Sequence, residues 1–237
     1  MHNFLKKFVF PKYCFGCGDN ASYLCAKCQK KLKLRGKFIC PVCQKNAIDG
    51  RTHPDCQQKT KLDGIISLWF YKGSIQKMLK GMKYRFVFDL RKELKEIIDI
   101  GIENQIKNNK TFAMFLEKKP IIVAVPLYWQ RLNWRGFNQA EIIAHLIAER
   151  QKLKLAQNLL IRQKNTKTQS ELAKKERYVN IKDAFELNPR IDIKTLKSIK
   201  YVLLIDDIWT SGNTLNECCK VLKRKGVREV WGLTLAR

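Results

Sequence analysis

The chain has 237 residues and a mass of 27.8 kDa, which is enough for one or two domains. Its 47 Lys and Arg residues against 21 Asp and Glu residues give a formal net charge of +26. Such a surface should attract polyanions, nucleic acid first and a membrane surface second, although a lysine-rich solvated surface is an alternative. Residues 1–13 lack a secretory pattern, and no apolar run approaches the ~20 residues of a membrane helix. We therefore expect a soluble, cytoplasmic protein with no membrane insertion.

The first part of the chain is rich in cysteine, because seven of the nine cysteines precede residue 57. With one histidine they form four pairs that each enclose two residues, and two such knuckles make a closed tetrahedral metal site. A disulfide module would need an oxidising compartment, so we predict structural zinc, one or two ions, with iron as an alternative metal. Joining consecutive knuckles is the simplest pairing, but a cross-braced pairing is also compatible. The candidate ligands are Cys14, Cys17, Cys25, Cys28, Cys40, Cys43, His53 and Cys56.

This front segment has few large apolar residues, so bound metal must supply much of its folding free energy. The aromatic residues Phe15 and Tyr23 could stack on bases. A polar stretch at 57–64 links the segment to the remainder. We therefore place a zinc-binding domain at residues 1–60 and a second domain at residues 61–237.

The second domain alternates apolar strands with amphipathic segments. Apolar runs predict strands at 65–71, 121–125, 201–205 and 227–235. Helical spacing predicts helices at 75–82, at 88–106 and after Asn138, while 107–118 is expected to be a connection. Strands that are apolar on both faces need cover on both faces. The fold class is therefore predicted as α/β, with a mostly parallel sheet flanked by helices.

Two arginines follow the strand at 121–125. Arg131 and Arg135 precede Gly136 and a predicted helix cap at Asn138, with Glu141 three residues further on. Guanidinium groups grip phosphate in a bidentate manner, so this segment is a candidate anion site. A surface loop with two solvated arginines is the alternative.

The strand at 201–205 leads into two carboxylates, Asp206 and Asp207, and then into a polar loop that opens a helix. Ligands bind at the carboxyl ends of parallel strands, and a helix N-terminus with converging backbone N–H groups suits a phosphate. The carboxylates should sit to one side of the phosphate, where they accept hydrogen bonds from sugar hydroxyls or hold a cation. An ordinary buried strand followed by a capped helix is the alternative. The candidate phosphate-loop residues are Thr210, Ser211, Gly212, Asn213 and Thr214.

The run from Tyr201 to Thr214 resembles the phosphoribosyl pyrophosphate (PRPP) signature of type I phosphoribosyltransferases. The resemblance implies a type I phosphoribosyltransferase fold that binds PRPP together with Mg²⁺. It also implies that Asp206 and Asp207 act as the catalytic pair on the ribose hydroxyls, that the loop binds the 5′-phosphate and that the Arg131–Arg135 segment binds pyrophosphate. Trp209 is bulky for this loop, although the side chain at this position of the signature points in variable directions.

The whole chain is similar to the ComF family (ComFC/GntX-like) in its order of motifs. Zinc knuckles come first, then Arg-Leu-x-x-Arg-Gly-Phe-Asn-Gln-Ala from residue 131, then Asp-Asp-Ile-x-Thr-Ser-Gly-x-Thr from residue 206. This resemblance implies an N-terminal double zinc ribbon joined to a phosphoribosyltransferase domain. It also implies a role in the uptake of transforming DNA, with single-stranded DNA and competence-machinery proteins as partners.

The same family pattern covers Arg162, Gln169 and Arg177, which implies a flexible loop that closes over PRPP; a solvated loop is the alternative.

No segment indicates an acceptor pocket. Two hypotheses follow. The chain is either a phosphoribosyltransferase for an unknown acceptor or a catalytically inactive, single-stranded-DNA-binding competence module that uses the fold as a scaffold.

Overall fold

The computed structural model describes residues 12–20, 22–82, 90–165 and 181–237. Four strands form a wholly parallel sheet in the order β1-β6-β5-β2, and two short strands form a separate antiparallel pair, β3 with β4. The strands are β1 (Gly64–Trp69), β2 (Ile121–Ala124), β3 (Leu160–Arg162), β4 (Phe185–Leu187), β5 (Tyr201–Ile208) and β6 (Glu229–Ala236). The predicted α/β class with a parallel sheet is confirmed.

Helices connect and cover these strands. The helices of the described residues are α1 (Ala26–Lys30), α2 (Gly73–Gly81), α3 (Arg91–Asn108), α4 (Lys110–Glu117), α5 (Trp129–Arg135), α6 (Gln139–Gln151), α7 (Ile193–Ser198) and α8 (Asn213–Arg224). Two 3₁₀ turns, Ile48–Gly50 and Pro54–Cys56, lie in the cysteine-rich part. None of the helices in the described ranges is both long and apolar enough to cross a membrane.

The sheet is buried on both faces, as the continuous apolar runs predict. Along β5, Leu203 and Ile205 pack in one hydrophobic cluster, and Val202 and Leu204 pack in a second cluster on the opposite face. The first cluster holds the buried faces of α3 and α6, whereas the second holds Leu215 and its neighbours on α8. This two-sided cover fixes the sheet and places the carboxyl ends of all four parallel strands along one edge.

The cysteine-rich segment packs directly on the α/β layers. Leu24 and Cys28 belong to the same buried cluster as β1. The Phe15 ring lies against the backbone of α2 at Gly81, where a β-carbon would come within 2.7 Å of the ring. Phe15 also stacks on Tyr23 with ring centroids 5.9 Å apart. Both aromatic residues are therefore engaged in packing within the protein.

The segment at 107–118 is helical over α4, although the sequence predicts a connection. The side chain of Asn109 caps this helix by accepting a hydrogen bond from the Phe112 backbone N–H at 2.8 Å. Phe112 and Phe115 are both buried, and their rings lie 5.9 and 5.5 Å from the ring of Trp231. Burial of two aromatic rings on one helical face outweighs the polar composition of the segment.

Candidate functional site

The knuckle residues form two separate clusters of four potential metal ligands. Consecutive knuckles pair, and within each cluster the ligand atoms all lie within 4.8 Å of one another. This is the simplest of the pairings that the sequence allows, and the cross-braced arrangement is not the one observed. The first cluster is Cys14, Cys17, Cys25 and Cys28, and the second is Cys40, Cys43, His53 and Cys56.

Both clusters have the dimensions of tetrahedral zinc sites. Sγ of Cys17 and Sγ of Cys25 lie 3.6 Å apart, close to the edge of about 3.8 Å that tetrahedral Zn–S bonds require. Sγ of Cys43 and Nδ1 of His53 lie 3.4 Å apart, against about 3.5 Å for a mixed sulfur–nitrogen edge. Nε2 of His53 lies 2.9 Å from the carbonyl oxygen of Asn46, which fixes Nδ1 as the metal-binding nitrogen. Four ligands in each cluster leave no open position, so the residues fit structural zinc.

In each cluster, backbone N–H groups lower the pKa of one cysteine thiol. Burial alone would raise the pKa of the Cys14 thiol, but backbone N–H groups of Cys17, Cys25 and Gly16 donate to Sγ and lower that pKa to about 6. The donors on Cys25 and Gly16 both lie 3.4 Å from the sulfur. At Cys40, backbone N–H groups likewise overcome the effect of burial and lower the pKa. Thiolates held in this way favour a bound cation.

The acidic pair lies near the end of strand β5, at the carboxyl edge of the sheet. Asp206 pairs in register with Thr234 of β6, so it belongs to a central strand. The backbone N–H of Asp207 donates to Oδ1 of Asp206 at 2.8 Å. Although Asp206 keeps part of its surface accessible, burial of its carboxyl group and the nearby charge of Asp207 raise its pKa well above the usual range. Two neighbouring carboxylates in a confined site favour a ligand that donates hydroxyl hydrogens or carries a cation.

Arg162 lies within electrostatic range of Asp206 and of a second predicted arginine, Arg131. Arg162, at the end of β3, is largely buried, and burial together with the charge of Arg131 lowers its pKa to about 10, while Asp206 acts in the opposite direction. Arg131 comes from α5, so a helix and two strands bring these three charges together. Arg162 therefore belongs to a strand, where the sequence predicts a flexible loop. An arginine that interacts with a carboxylate and with a second arginine suits a ligand that combines hydroxyl groups with phosphate.

The second predicted arginine is placed differently. Nη1 of Arg135 lies 3.4 Å from Oε1 of Gln139 in the first turn of α6. The Nε atom of Arg135 and the Nε2 atom of Gln139 are buried without a hydrogen-bond partner among the described residues. Asn138 caps α6, as predicted, by accepting from the Ala140 N–H at 3.1 Å. Arg135 thus contributes positive potential beside the strand end, one turn away from the Arg131–Arg162 group.

The candidate phosphate loop joins β5 to α8. Gly212 has a left-handed φ of +76° and precedes the first residue of the helix. Trp209 is buried with 3% exposure, and its ring fills the space that a β-carbon on Gly212 would need. Its direction is therefore inward, beneath the loop. The loop turns tightly over this ring, and the twelve-residue helix α8 begins with its N-terminus at the sheet edge, where the Asn213 N–H lies 3.5 Å from the Ser211 hydroxyl oxygen.

Two predicted residues cannot be placed in the structure, and two residues that were not predicted lie near the acidic pair. Gln169 and Arg177 lie outside the described residues. Tyr71, just after β1, stands near the acidic pair, since burial and the charge of Asp207 raise its pKa. Cys218 is fully buried on α8 within the field of Asp206, which adds to the effect of burial on its pKa. Neither of these two contacts is signalled by a motif, because both join residues far apart in the sequence.

Comparisons with known proteins agree with this arrangement. Residues 5–57 match the model of the double zinc ribbon domain. Over the longer range, the chain is similar to competence protein F of Haemophilus influenzae, with 26% identity over 91% of this chain and 98% of that protein. It is also similar to competence protein ComFC of Streptococcus pneumoniae, with 28% identity over 92% and 90% of the two chains.

A third relative is the DNA utilization protein YhgH of Escherichia coli K12, with 24% identity over 89% of each chain. Each of these three matches covers about nine-tenths of this chain. Over about nine-tenths of its length the chain is therefore similar to competence and DNA-utilization proteins, and its N-terminal part matches a double zinc ribbon.

Proposed function

We propose that this protein binds PRPP at the carboxyl edge of its parallel sheet and acts in DNA uptake. Two observations carry the proposal: Arg162 lies within electrostatic range of both Asp206 and Arg131, and the acidic pair leads directly into the glycine loop that opens α8. A carboxylate pair accepts hydrogen bonds from ribose hydroxyls, and the N–H groups at a helix N-terminus donate hydrogen bonds to a phosphate. The arginines then face the pyrophosphate. The role in DNA uptake rests on the competence proteins among the relatives.

The chemistry that this site would support is pentosyl transfer. The bond between ribose C1′ and the pyrophosphate oxygen breaks, its electron pair leaves with pyrophosphate, and an acceptor supplies the pair for the new bond to C1′. Positive charge develops on the sugar, and the carboxylates of Asp206 and Asp207 offset it. Arg131 and Arg162 stabilise the charge on the leaving group. Mg²⁺ bound with PRPP would add charge neutralisation at the pyrophosphate.

A titration of the zinc-loaded protein with PRPP and Mg²⁺ tests the proposal, with ribose 5-phosphate alongside. Saturable binding of PRPP that is tighter than binding of ribose 5-phosphate is expected, because only PRPP reaches the arginines. The double variant Asp206→Ala/Asp207→Ala should lose PRPP binding. Wild-type protein that shows neither heat nor thermal stabilisation with PRPP would contradict the proposal. Acceptors are then sought by release of pyrophosphate.

The second candidate function, binding of single-stranded DNA by a catalytically inactive scaffold, is favoured by a different observation. Trp129 and Trp134 on α5 are 57% and 71% exposed, and they flank Arg131 on a chain of net charge +26. Exposed aromatic rings interleaved with arginines provide stacking surfaces for bases and contacts for phosphates. Arg131 belongs to both candidate sites.

A salt series with a single-stranded oligonucleotide tests this candidate. Affinity should fall steeply with salt, and the double variant Trp129→Ala/Trp134→Ala should bind at least about 30-fold more weakly if two bases stack. The variant Met114→Ala is the control, because Met114 is 53% exposed on α4 but has no arginine beside it in the helix. Equal loss in the control and the tryptophan variant would exclude stacking on α5.

A further inference from the structure

One contact joins the second metal cluster to the phosphate loop. Nε2 of Gln44 donates to the backbone carbonyl oxygen of Ser211 at 3.2 Å, across 167 positions in the sequence. Gln44 directly follows the ligand Cys43. We propose that Gln44 is a positioning residue through which the metal-held second ribbon sets the conformation of the phosphate loop. The consequence for PRPP rests on the proposed function, whereas the consequence for the loop does not.

The two ribbons contain an internal comparison that isolates the role of Gln44. In the first ribbon, the N–H of Gly18 donates to the Cys14 carbonyl at 2.9 Å, and Gly18 has a φ of +85°. In the second ribbon, the N–H of Gln44 donates to the Cys40 carbonyl at 2.9 Å, and Gln44 has a φ of +61°. The knuckles thus close in the same way, with glycine in one and glutamine in the other.

Glycine is the residue that this position favours. A left-handed conformation crowds the β-carbon of an L-residue, whereas glycine adopts it freely. Gly18 has no heavy atom within 4 Å of where its β-carbon would lie, so the first knuckle needs no side chain there. The knuckle alone therefore does not account for the glutamine. Its side chain instead has a partner in the loop, which accounts for a residue that the backbone disfavours.

The contact also orients the loop. The carbonyl of Ser211 and the N–H of Gly212 belong to one peptide unit, and in a trans peptide they point in opposite directions. A hydrogen bond that holds the Ser211 carbonyl toward the ribbon therefore turns the Gly212 N–H away from it. It also removes a carbonyl oxygen, which would repel phosphate, from the anion side of the loop. A knuckle that is held by metal would thus fix the orientation of the N–H groups at the start of α8.

Hydrogen exchange of the full-length, zinc-loaded protein tests the inference without any ligand. The variant Gln44→Gly removes the side chain and gives the knuckle its preferred residue, and Gln44→Asn keeps an amide that is too short to reach Ser211. In both, amides of residues 210–214 should exchange faster, while zinc content and the exchange of residues 12–20 stay at wild-type values. The control is Gln58→Asn, because Gln58 is exposed. Wild-type exchange of the loop in both Gln44 variants would overturn the inference.

Binding of PRPP and of ribose 5-phosphate by the same variants measures the effect on the site. Loss of one hydrogen bond that orders the loop should weaken both ligands by about 3- to 10-fold. Equal weakening of both ligands is expected because both carry the 5′-phosphate, and variants that bind as the wild type does would overturn the positioning role. If the wild-type protein binds neither ligand, the proposed function fails, and the exchange experiment alone decides whether Gln44 positions the loop.

Discussion

The backbone N–H of Asp207 donates to Oδ1 of Asp206 at 2.8 Å, so the Asp206 carboxylate is held against the backbone of β5. This hydrogen bond favours the ionised form of Asp206, but burial and the charge of Asp207 have the larger, opposite effects and raise its pKa. The folded protein therefore keeps a carboxylate in a place that disfavours its charge. Such a cost to stability is characteristic of sites that serve a ligand.

Replacement of Asp206 by Asn should stabilise the fold and abolish PRPP binding. The amide oxygen keeps the hydrogen bond from Asp207, while the buried charge is removed. A gain of roughly 1 kcal/mol corresponds to a rise in melting temperature of about 2–4 °C for a chain of this size. Thermal unfolding with and without PRPP measures both effects. The control Glu103→Gln, an exposed carboxylate on α3, should change neither.

The gain from Asp206→Asn should depend on pH. Because the pKa of Asp206 is raised in the folded state, ionisation costs stability above the unfolded pKa of about 3.9. The difference in melting temperature between variant and wild type should be largest near neutral pH and should shrink as the pH falls toward that value. A difference that stays constant from pH 4 to pH 8 would show that Asp206 is not the origin of the effect.

Gly212→Ala should destabilise the protein more than Gly136→Ala does. Both glycines have nearly the same left-handed φ, +76° and +75°. A β-carbon at Gly136 meets no heavy atom within 4 Å, whereas at Gly212 it meets the ring of Trp209. Gly136→Ala should thus cost about 1–2 kcal/mol of backbone strain. Gly212→Ala should cost about 1–3 kcal/mol more because the ring must move. Urea unfolding of the two variants gives the comparison, and equal losses would contradict the packing of Trp209 beneath the loop.

The sequence predicts those parts of the site that are local in the chain. The strand, the acidic pair and the loop from Thr210 to Thr214 follow one another directly, so periodicity and glycine placement are enough to predict them. The grouping of Arg162 with Arg131 and Asp206 could not be predicted in this way, because it depends on how β3 and α5 pack against the end of β5. The contact between Gln44 and Ser211 joins residues 167 positions apart.

The fold shows the same division. The parallel strands and the helix after Asn138 have strong periodic signals, and both are confirmed. Helix α4 has only a weak periodic signal, because lysine and asparagine are frequent in the sequence around it. Its signal was the spacing of Phe112 and Phe115, three residues apart behind a capping Asn109. Tertiary burial against Trp231 stabilises a segment whose composition alone favours a connection.

Metal analysis should find about two zinc ions per chain in the purified protein, since each cluster offers four ligands. Cys25→Ser removes one ligand from the first cluster and should lower the content to about one ion. Cys219→Ala is the control, because Cys219 is a fully buried thiol on α8 outside both clusters. It should keep both ions. A zinc content in Cys25→Ser equal to that of the wild type would contradict the first site, and iron in place of zinc would contradict the choice of metal.

Asn109→Ala should destabilise the protein strongly, whereas Asn108→Ala should not. Asn109 is 0% exposed; its Oδ1 accepts from the Phe112 N–H, and its Nδ2 donates to the Asp49 carbonyl at 3.1 Å. The alanine variant loses a helix cap and leaves a carbonyl without its donor, at a cost of about 2–4 kcal/mol. The side chain of Asn108 is exposed, and among the described residues it bonds only to the Asn104 carbonyl one turn earlier in the helix. Its removal should cost less than about 0.5 kcal/mol.

The same pair of variants also tests how the cysteine-rich segment is attached. Asp49 lies in the turn between the ligands Cys43 and His53, and its carboxylate accepts from the Thr111 hydroxyl at 2.6 Å. Asn109 and Thr111 therefore fasten the second ribbon to the start of α4. In Asn109→Ala, hydrogen exchange should increase at residues 47–51 and at the start of α4, without loss of zinc. Increased exchange confined to α4 would mean that Asn109 only caps the helix and that other contacts hold the ribbon in place.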